Sequence, residues 1–143
     1  MSDILHDFPI KASAAQVFAA VSTPAGLDEW WTLTSKGEPR EGAVYELFFG
    51  DAYDWRAIVT ACVPDEHIEF TMGRSDPDWA GTRISIRLRE AAGGTLVQFA
   101  HTGWPEPNAH YRTSNCCWGA YLRILRRYVE HGEHVAYDKR LEV

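Results

Sequence analysis

The sequence feature that most constrains the fold is a long amphipathic segment near the C-terminus, residues 108–132. At helical spacing its apolar side chains fall on one stripe, and its arginines fall on the opposite face. The stripe consists of Trp118, Tyr121, Leu122, Leu125, Tyr128 and Val129. Gly132 is a typical C-terminal cap, and Pro105 and Pro107 break the chain before the helix. A helix this rich in aromatic residues needs a broad apolar surface to cover its stripe.

The chain upstream of this helix is predicted to supply that surface as β-strands. A first strand at residues 3–11 leads into two short helices, which the Thr23-Pro24 corner separates. Alternating apolar and polar side chains predict further strands at residues 43–50, 53–63, 67–73, 82–90 and 95–102. Because the connections between strands are short, we expect an antiparallel meander within one domain, residues 1–143.

Two local details of this prediction bear on the fold. In the strand at residues 53–63, simple alternation predicts that Val59, Ala61 and Val63 share one face with Trp55. The residues after Gly132 are expected to form either a loose end or a final edge segment.

Composition excludes several classes of function. The net charge is −6 and no basic run exceeds the pair Arg126-Arg127, so we expect no nucleic-acid binding, which depends on clustered positive charge. No apolar run approaches the ~20 residues that span a bilayer, and the N-terminus lacks a signal-peptide pattern. We therefore expect a cytoplasmic protein without integral membrane contact. Cys62, Cys116 and Cys117 have neither disulfide nor metal-ligand spacing, so we expect reduced thiols, no metal and no cofactor.

No catalytic motif is apparent, and we assign no catalytic residue. His101 is the polar residue of most interest, because alternation with Val97 and Phe99 turns it inward. We interpret it as a hydrogen-bonded core histidine whose partner is Tyr45, Tyr111 or a backbone carbonyl. The functional alternative is a group that orients a ligand or transfers a proton. The loop carboxylates, among them Asp76 and Asp78, are interpreted as solvated surface groups.

Three motifs in order give the chain its resemblance to a known superfamily. IKASAAQVFAAVSTPAGLDEWW (residues 10–31) resembles the opening of the START-like SRPBCC superfamily. HTGW (residues 101–104) and CWGAYLRILRRYVEHG (residues 117–132) resemble the closing signature of one branch. That branch is related to the C-terminal domain of the activator of the ninety-kilodalton heat-shock chaperone's ATPase. The resemblance implies an α+β helix-grip fold of order β-α-α-β6-α, in which a curved antiparallel sheet wraps around the long C-terminal helix.

The resemblance also implies a cavity between sheet and helix. Six tryptophans, six tyrosines and six phenylalanines favour a small hydrophobic or amphipathic ligand there, although each aromatic residue also suits a packed core. Trp79 lies in a loop that could act as a lid over this cavity. The ligand-binding residues that we predict are Trp31, Tyr45, Phe70, Met72, Ile86, Phe99, His101, Trp104, Trp118 and Tyr121.

Two other functions stay open beside a non-enzymatic ligand-binding protein. The superfamily includes cyclases and hydrolases, so the same cavity is open to catalysis with His101 as the acid–base group. The branch also suggests a chaperone cofactor or stress-response interaction module. A chaperone partner is not expected, because 143 residues leave no room for the separate N-terminal domain of the eukaryotic co-chaperone. Half-open sheet edges would permit a homodimer.

Overall fold

The long C-terminal helix begins and ends where the sequence predicts. In the computed structural model, which describes all residues 1–143, Asn108 caps its start by accepting a hydrogen bond from the Tyr111 backbone N–H at 2.9 Å. Gly132 ends it in the left-handed conformation, with φ at 66°. The elements in chain order are β1 (Ser2–Ile10), α1 (Ala14–Ser22), α2 (Pro24–Trp30), β2 (Thr34–Lys36), β3 (Val44–Phe48), β4 (Asp54–Val63), β5 (His67–Met72), β6 (Arg83–Ala91), β7 (Gly94–Trp104), α3 (Ala109–His131) and a C-terminal 3₁₀ helix (Tyr137–Glu142).

The strands form one antiparallel sheet of seven, in the order β1-β7-β6-β5-β4-β3-β2. The first strand therefore pairs with the last, and every other strand pairs with its neighbour in sequence. The sheet curves around α3, which confirms the helix-grip fold that the resemblance implied. The meander has six strands because it also includes β2, which alternation did not predict. Its three residues are too few to show an alternating pattern.

The two short helices form because each has its own N-terminal cap. Ser13 and Gln16 make a reciprocal capping box on α1. Thr23 caps α2 by accepting a hydrogen bond from the Gly26 backbone N–H at 3.1 Å, and Pro24 holds the first helical position. The helices pack so closely that a Cβ on Gly26 would lie 2.5 Å from the Ala19 carbonyl oxygen.

The predicted faces of β4 are wrong beyond Val59. The pairing with β5 shifts between Val59 and Ala61, which leaves Thr60 as the extra residue of a β-bulge. One extra residue exchanges the two faces of a strand, because the side-chain period is two. As a result, Cys62 packs against the core and Val63 is 45% exposed.

The residues after Gly132 are neither a loose end nor an edge strand. They form the 3₁₀ helix Tyr137–Glu142, which is fastened through the buried side chain of Arg140. Its guanidinium donates to the carbonyls of Asp28 and Thr32 at the end of α2, with a distance of 3.0 Å to Thr32 O. The C-terminus is thereby held beside the end of α2 and against α3.

None of the helices combines the length and the apolar character that crossing a membrane requires.

Candidate ligand-binding cleft

An aromatic cleft opens between α3, the turn that joins β3 to β4, the β5–β6 loop and the 3₁₀ helix. Its volume is about 410 Å³, which lies within the range of roughly 300–1,000 Å³ typical of small-molecule sites. Eight aromatic residues line it: Trp31, Phe49, Tyr53, Trp55, Trp79, Trp118, Tyr121 and Tyr137. The remaining lining residues are Asp76, His110, Thr113, Ser114, Cys117 and Leu141.

Five of these aromatic residues form a closed circuit of ring contacts, which we call the aromatic circuit. The circuit runs through Trp31, Phe49, Trp55, Trp79 and Trp118 and returns to Trp31. Successive ring centroids are 5.5, 5.1, 5.0, 5.9 and 5.4 Å apart. The pairs are tilted, stacked or edge-to-face at favourable separations, so the rings stabilise one another.

A buried chain of hydrogen bonds fixes two members of the circuit. The Trp118 indole N–H donates to His101 Nδ1 at 3.1 Å. Because an indole nitrogen can only donate, His101 Nδ1 must accept, and the imidazole proton resides on Nε2. That nitrogen lies 2.8 Å from Thr82 Oγ1, which in turn donates to the Trp79 carbonyl at 2.6 Å. The chain joins α3, β7 and the β5–β6 loop.

His101 therefore serves the core, as the first interpretation held, although its partners are not those predicted. Tyr45 Oη donates to the Ser22 carbonyl and Tyr111 Oη to the Asp3 carbonyl. Burial, with a smaller contribution from nearby His110, lowers the pKa of His101 to about 3 and keeps the imidazole neutral. With no solvent exposure and both nitrogens bonded, His101 has no free nitrogen for proton transfer to a ligand.

The polar end of the cleft is built around His110, in the first turn of α3. Its Nδ1 lies 2.9 Å from both carboxylate oxygens of Asp78, and its Nε2 lies 3.8 Å from Asp76 Oδ2. Asn108 Nδ2 also donates to Asp78, at 3.4 Å. Asp78 is thus a partner of His110, with its side chain 21% exposed, rather than the solvated surface group expected from the sequence.

The cleft offers little for covalent chemistry. Burial raises the pKa of the Cys117 thiol, which keeps it protonated, and raises the pKa of Tyr121 to about 12. No group of three or more His, Cys, Asp or Glu side chains is placed to hold a metal ion.

The indole N–H of Trp79 is buried without an acceptor, which typically costs about 1–3 kcal/mol. What the cleft presents is an apolar surface with one polar end.

The structure brings three of the ten predicted ligand-binding residues to this cleft, namely Trp31, Trp118 and Tyr121. The other seven lie behind it in the core, each at most 2% exposed. They are Tyr45, Phe70, Met72, Ile86, Phe99, His101 and Trp104. Their inward direction matches the sequence prediction, but they fill the core instead of lining this cleft, because α1 packs over β5, β6 and β7 and Trp118 of α3 packs on Phe99 of β7. Trp79 is a buried part of the cleft wall.

Sequence reasoning missed Phe49, Tyr53, Trp55 and Tyr137 as cleft residues. Alternation shows which face of a strand is buried, but it does not show which end of the strand is open. The available signal was the concentration of aromatic residues on both sides of the turn between β3 and β4.

A larger groove of about 660 Å³ lies beside the C-terminal end of α3. Half of its lining residues have polar or charged side chains, among them Lys11, Arg126, Arg127 and Glu130, and they lie beside the backbone of the β6–β7 turn. Some of these charged groups already have partners within the protein. Glu130 accepts from the Lys11 backbone N–H at 2.8 Å, and Arg127 is paired with Glu133. We favour the smaller cleft as the candidate site because its walls are apolar and its polar groups converge at one end.

Comparisons with known proteins agree with this architecture. Residues 11–130 match the family described as activator of Hsp90 ATPase homolog 1-like protein. The solution structure of the Aha1 dimer from Colwellia psychrerythraea is similar at a TM-score of 0.84 and 29% identity, over 93% of this chain and 99% of that one. No curated protein sequence matches this chain.

Two more distant structures share the fold. Protein SSP2350 from Staphylococcus saprophyticus has a TM-score of 0.79 at 20% identity, over 94% of this chain and 96% of that one. CalU16 from Micromonospora echinospora has a TM-score of 0.74 at 19% identity, over 98% and 83%. The match over residues 11–130 covers most of the sequence, and the chain therefore belongs to the activator of Hsp90 ATPase homolog 1-like family.

Proposed function

We propose that this protein binds a small amphipathic ligand with an aromatic or otherwise apolar body in the aromatic cleft. The aromatic circuit carries the proposal, because its five contacting rings all line one cleft whose walls are mainly apolar. The polar groups gather at His110 and Asp76, so the ligand would have one polar end.

The hydrophobic contribution to such binding is modest for a fragment-sized molecule. Burying about 150 Å² of apolar ligand surface is worth roughly 4 kcal/mol at about 25 cal/mol/Å². Association itself costs at least about 4 kcal/mol in lost translational and rotational freedom. Simple aromatic fragments should therefore bind weakly, and the test needs a method that detects weak complexes.

The test is a titration of ¹⁵N-labelled protein with 1-naphthalenemethanol, followed through the six tryptophan indole N–H signals. We expect saturable shifts of the Trp31, Trp55, Trp79 and Trp118 signals, because these rings line the cleft. Trp30 and Trp104 lie outside the lining and should shift much less. Uniformly small shifts, or shifts confined to Trp30 and Trp104, would contradict the proposal.

A pair of substitutions on α3 provides the matched control. Thr113→Phe adds a ring to an exposed residue that lines the cleft, and it should weaken binding at least tenfold. Cys116→Phe adds the same ring to an exposed residue outside the lining, and it should leave binding unchanged. Equal effects of the two substitutions would move the binding site away from the cleft.

We also propose that the protein forms a homodimer in a reducing, cytoplasmic compartment. A dimer is supported by the Aha1 dimer of Colwellia psychrerythraea and by the two free sheet edges, β1 and β2. The reducing compartment is supported by three free cysteines, none of which pairs with another. Sedimentation velocity at several protein concentrations tests the dimer, and a concentration-independent monomer would refute it.

A further inference from the structure

The polar end of the cleft is negatively charged. Asp76 and Asp78 both lie beside His110, the only titratable base in the cleft lining. Two carboxylates outweigh one imidazole whether or not the imidazole carries its second proton. The group therefore stays negative, and no lysine or arginine lines the cleft to neutralise it.

The two carboxylates differ in what they are bonded to. Asp78 contacts His110 Nδ1 with both oxygens and accepts from the Asn108 amide. It also lies beside the start of α3, where the partial positive charge of the helix dipole stabilises an anion. The Asp76 carboxylate has no hydrogen bond from the protein, and its nearest basic partner is His110 Nε2 at 3.8 Å. Asp76 is thus the carboxylate that remains available in the cleft, with its side chain 37% exposed.

The neighbouring arginines are occupied elsewhere. Arg56 and Arg74 both pair with Asp54, and Arg74 lies 2.7 Å from its Oδ2. The guanidinium of Arg140 donates to backbone carbonyls at the end of α2. None of these charges is directed at Asp76.

We propose that the ligand of this cleft is an organic cation, an apolar or aromatic body that carries an ammonium group. This inference rests on the proposed function and names the chemical class of its ligand. The ammonium group would pair with Asp76, while the neighbouring ring faces attract the cation through their quadrupoles. A carboxylate of the same shape would meet two like charges and would be repelled.

Three probes with the same ring system and different charge test the inference. They are 1-naphthylmethylamine, a cation at neutral pH, 1-naphthalenemethanol, which is neutral, and 1-naphthoate, an anion. We expect the amine to bind at least about tenfold more tightly than the alcohol, and the carboxylate more weakly than either. Affinities come from isothermal titration or from the indole N–H shifts. Raising the salt concentration from 0.05 to 0.5 M should reduce the preference for the amine, because salt screens exposed charges.

The variant Asp76→Asn should remove the preference for the amine over the alcohol, because it takes away the carboxylate that pairs with the ammonium group. Asp65→Asn makes the same change of charge in the β4–β5 turn, at the far end of the ten-residue strand β4, about 30 Å away. Asparagine tolerates the positive φ of 64° at that turn. Asp65→Asn should leave both affinities unchanged.

The failure of this inference can be told apart from failure of the proposed function. The inference of a cationic ligand would be wrong if the amine and the alcohol bound equally well in the cleft. It would also be wrong if the preference for the amine survived both Asp76→Asn and high salt. In either case the cleft would remain a ligand site. Tighter binding of 1-naphthoate would overturn it in the same way. If none of the three probes shifts the cleft tryptophans, both proposals fall.

Discussion

At the scale of single residues, His101 connects three parts of the fold through its two ring nitrogens. It accepts from Trp118 on α3 and donates to Thr82, whose hydroxyl donates to the carbonyl of Trp79 in the β5–β6 loop. A charged imidazolium in this site would lose the bond from Trp118, because both nitrogens would then be donors. The site thus requires a neutral histidine, in accord with the pKa of about 3 that burial imposes.

A pH dependence of stability follows from that requirement. The pKa of His101 falls from its ordinary 6.5 to about 3 on folding, so between these values the unfolded chain binds a proton that the folded protein does not. The stability from neutral His101 is therefore fully present above pH 6.5 and is lost as the pH falls. At pH 5 the loss amounts to about 2 kcal/mol, from 1.5 pH units at 1.36 kcal/mol each.

Urea unfolding of the wild type and of His101→Phe at pH 7.5 and pH 5 measures this loss. The variant should be less stable at pH 7.5, because the buried Trp118 N–H loses its acceptor at a cost of about 1–3 kcal/mol. Between pH 7.5 and pH 5, the free energy of unfolding should decrease less in the variant than in the wild type. Burial also lowers the pKa of His67, but this residue is present in both proteins, so the difference isolates His101. Identical decreases would show that His101 does not titrate as described.

At the scale of elements, the close approach of α1 and α2 places Trp31, which follows α2, at the edge of the cleft. Gly26 permits this approach, since a Cβ there would lie 2.5 Å from the Ala19 carbonyl and 2.6 Å from the Ala20 Cα. Those contacts are with backbone atoms, which cannot rotate away. The short helices can therefore pack this closely only because residue 26 has no side chain.

The substitution Gly26→Ala should destabilise the protein by at least about 2 kcal/mol, because overpacking of this kind forces the backbone to shift. The matched control is Gly119→Ala on α3, where the added Cβ would meet only His6 Cε1 at 4.0 Å. Alanine favours a helix interior over glycine by about 1 kcal/mol, so this variant should be slightly more stable. Thermal unfolding should show a lower Tm for Gly26→Ala and a slightly higher Tm for Gly119→Ala. Equal destabilisation by the two substitutions would contradict the packing argument.

The 3₁₀ helix supplies Tyr137 and Leu141 to the cleft, and Arg140 fastens it to α2. Arg140→Ala should release this segment and weaken binding of the naphthalene probes severalfold. Hydrogen exchange of residues 137–142 should accelerate in the variant. Lys139→Ala, at an exposed neighbouring side chain, should change neither quantity. Unchanged exchange in Arg140→Ala would mean that other contacts hold the segment.

At the scale of the whole molecule, the sequence predicts the fold better than it predicts the site. Alternation in β6 and β7 and the stripe of α3 follow from burial on one face, so they are visible in the order of residues. The β-bulge at Thr60 cannot be predicted in this way, because no residue type in the sequence indicates that one extra residue interrupts the strand. The cleft depends on which strand ends stay open and on long-range pairs such as His110 with Asp78, which lie 32 residues apart.

Ligand binding should also be visible as a gain in stability of the whole molecule. At ten times its dissociation constant, 1-naphthylmethylamine should stabilise the folded protein by about 1.4 kcal/mol, since only the folded protein has the cleft. For a protein of this size the gain raises Tm by roughly 3–6 °C. Calorimetry should show this increase for the wild type and for Cys116→Phe, and little of it for Thr113→Phe. An equal rise in all three would indicate binding outside the cleft.

The aromatic circuit has a consequence for how such a protein diversifies. Its five rings come from five separate segments of the chain: the end of α2, the residue after β3, the start of β4, the β5–β6 loop and the middle of α3. Each segment therefore forms a different wall of the opening. Under the proposed ligand-binding function, relatives that share this scaffold would change their ligand selectivity one wall at a time.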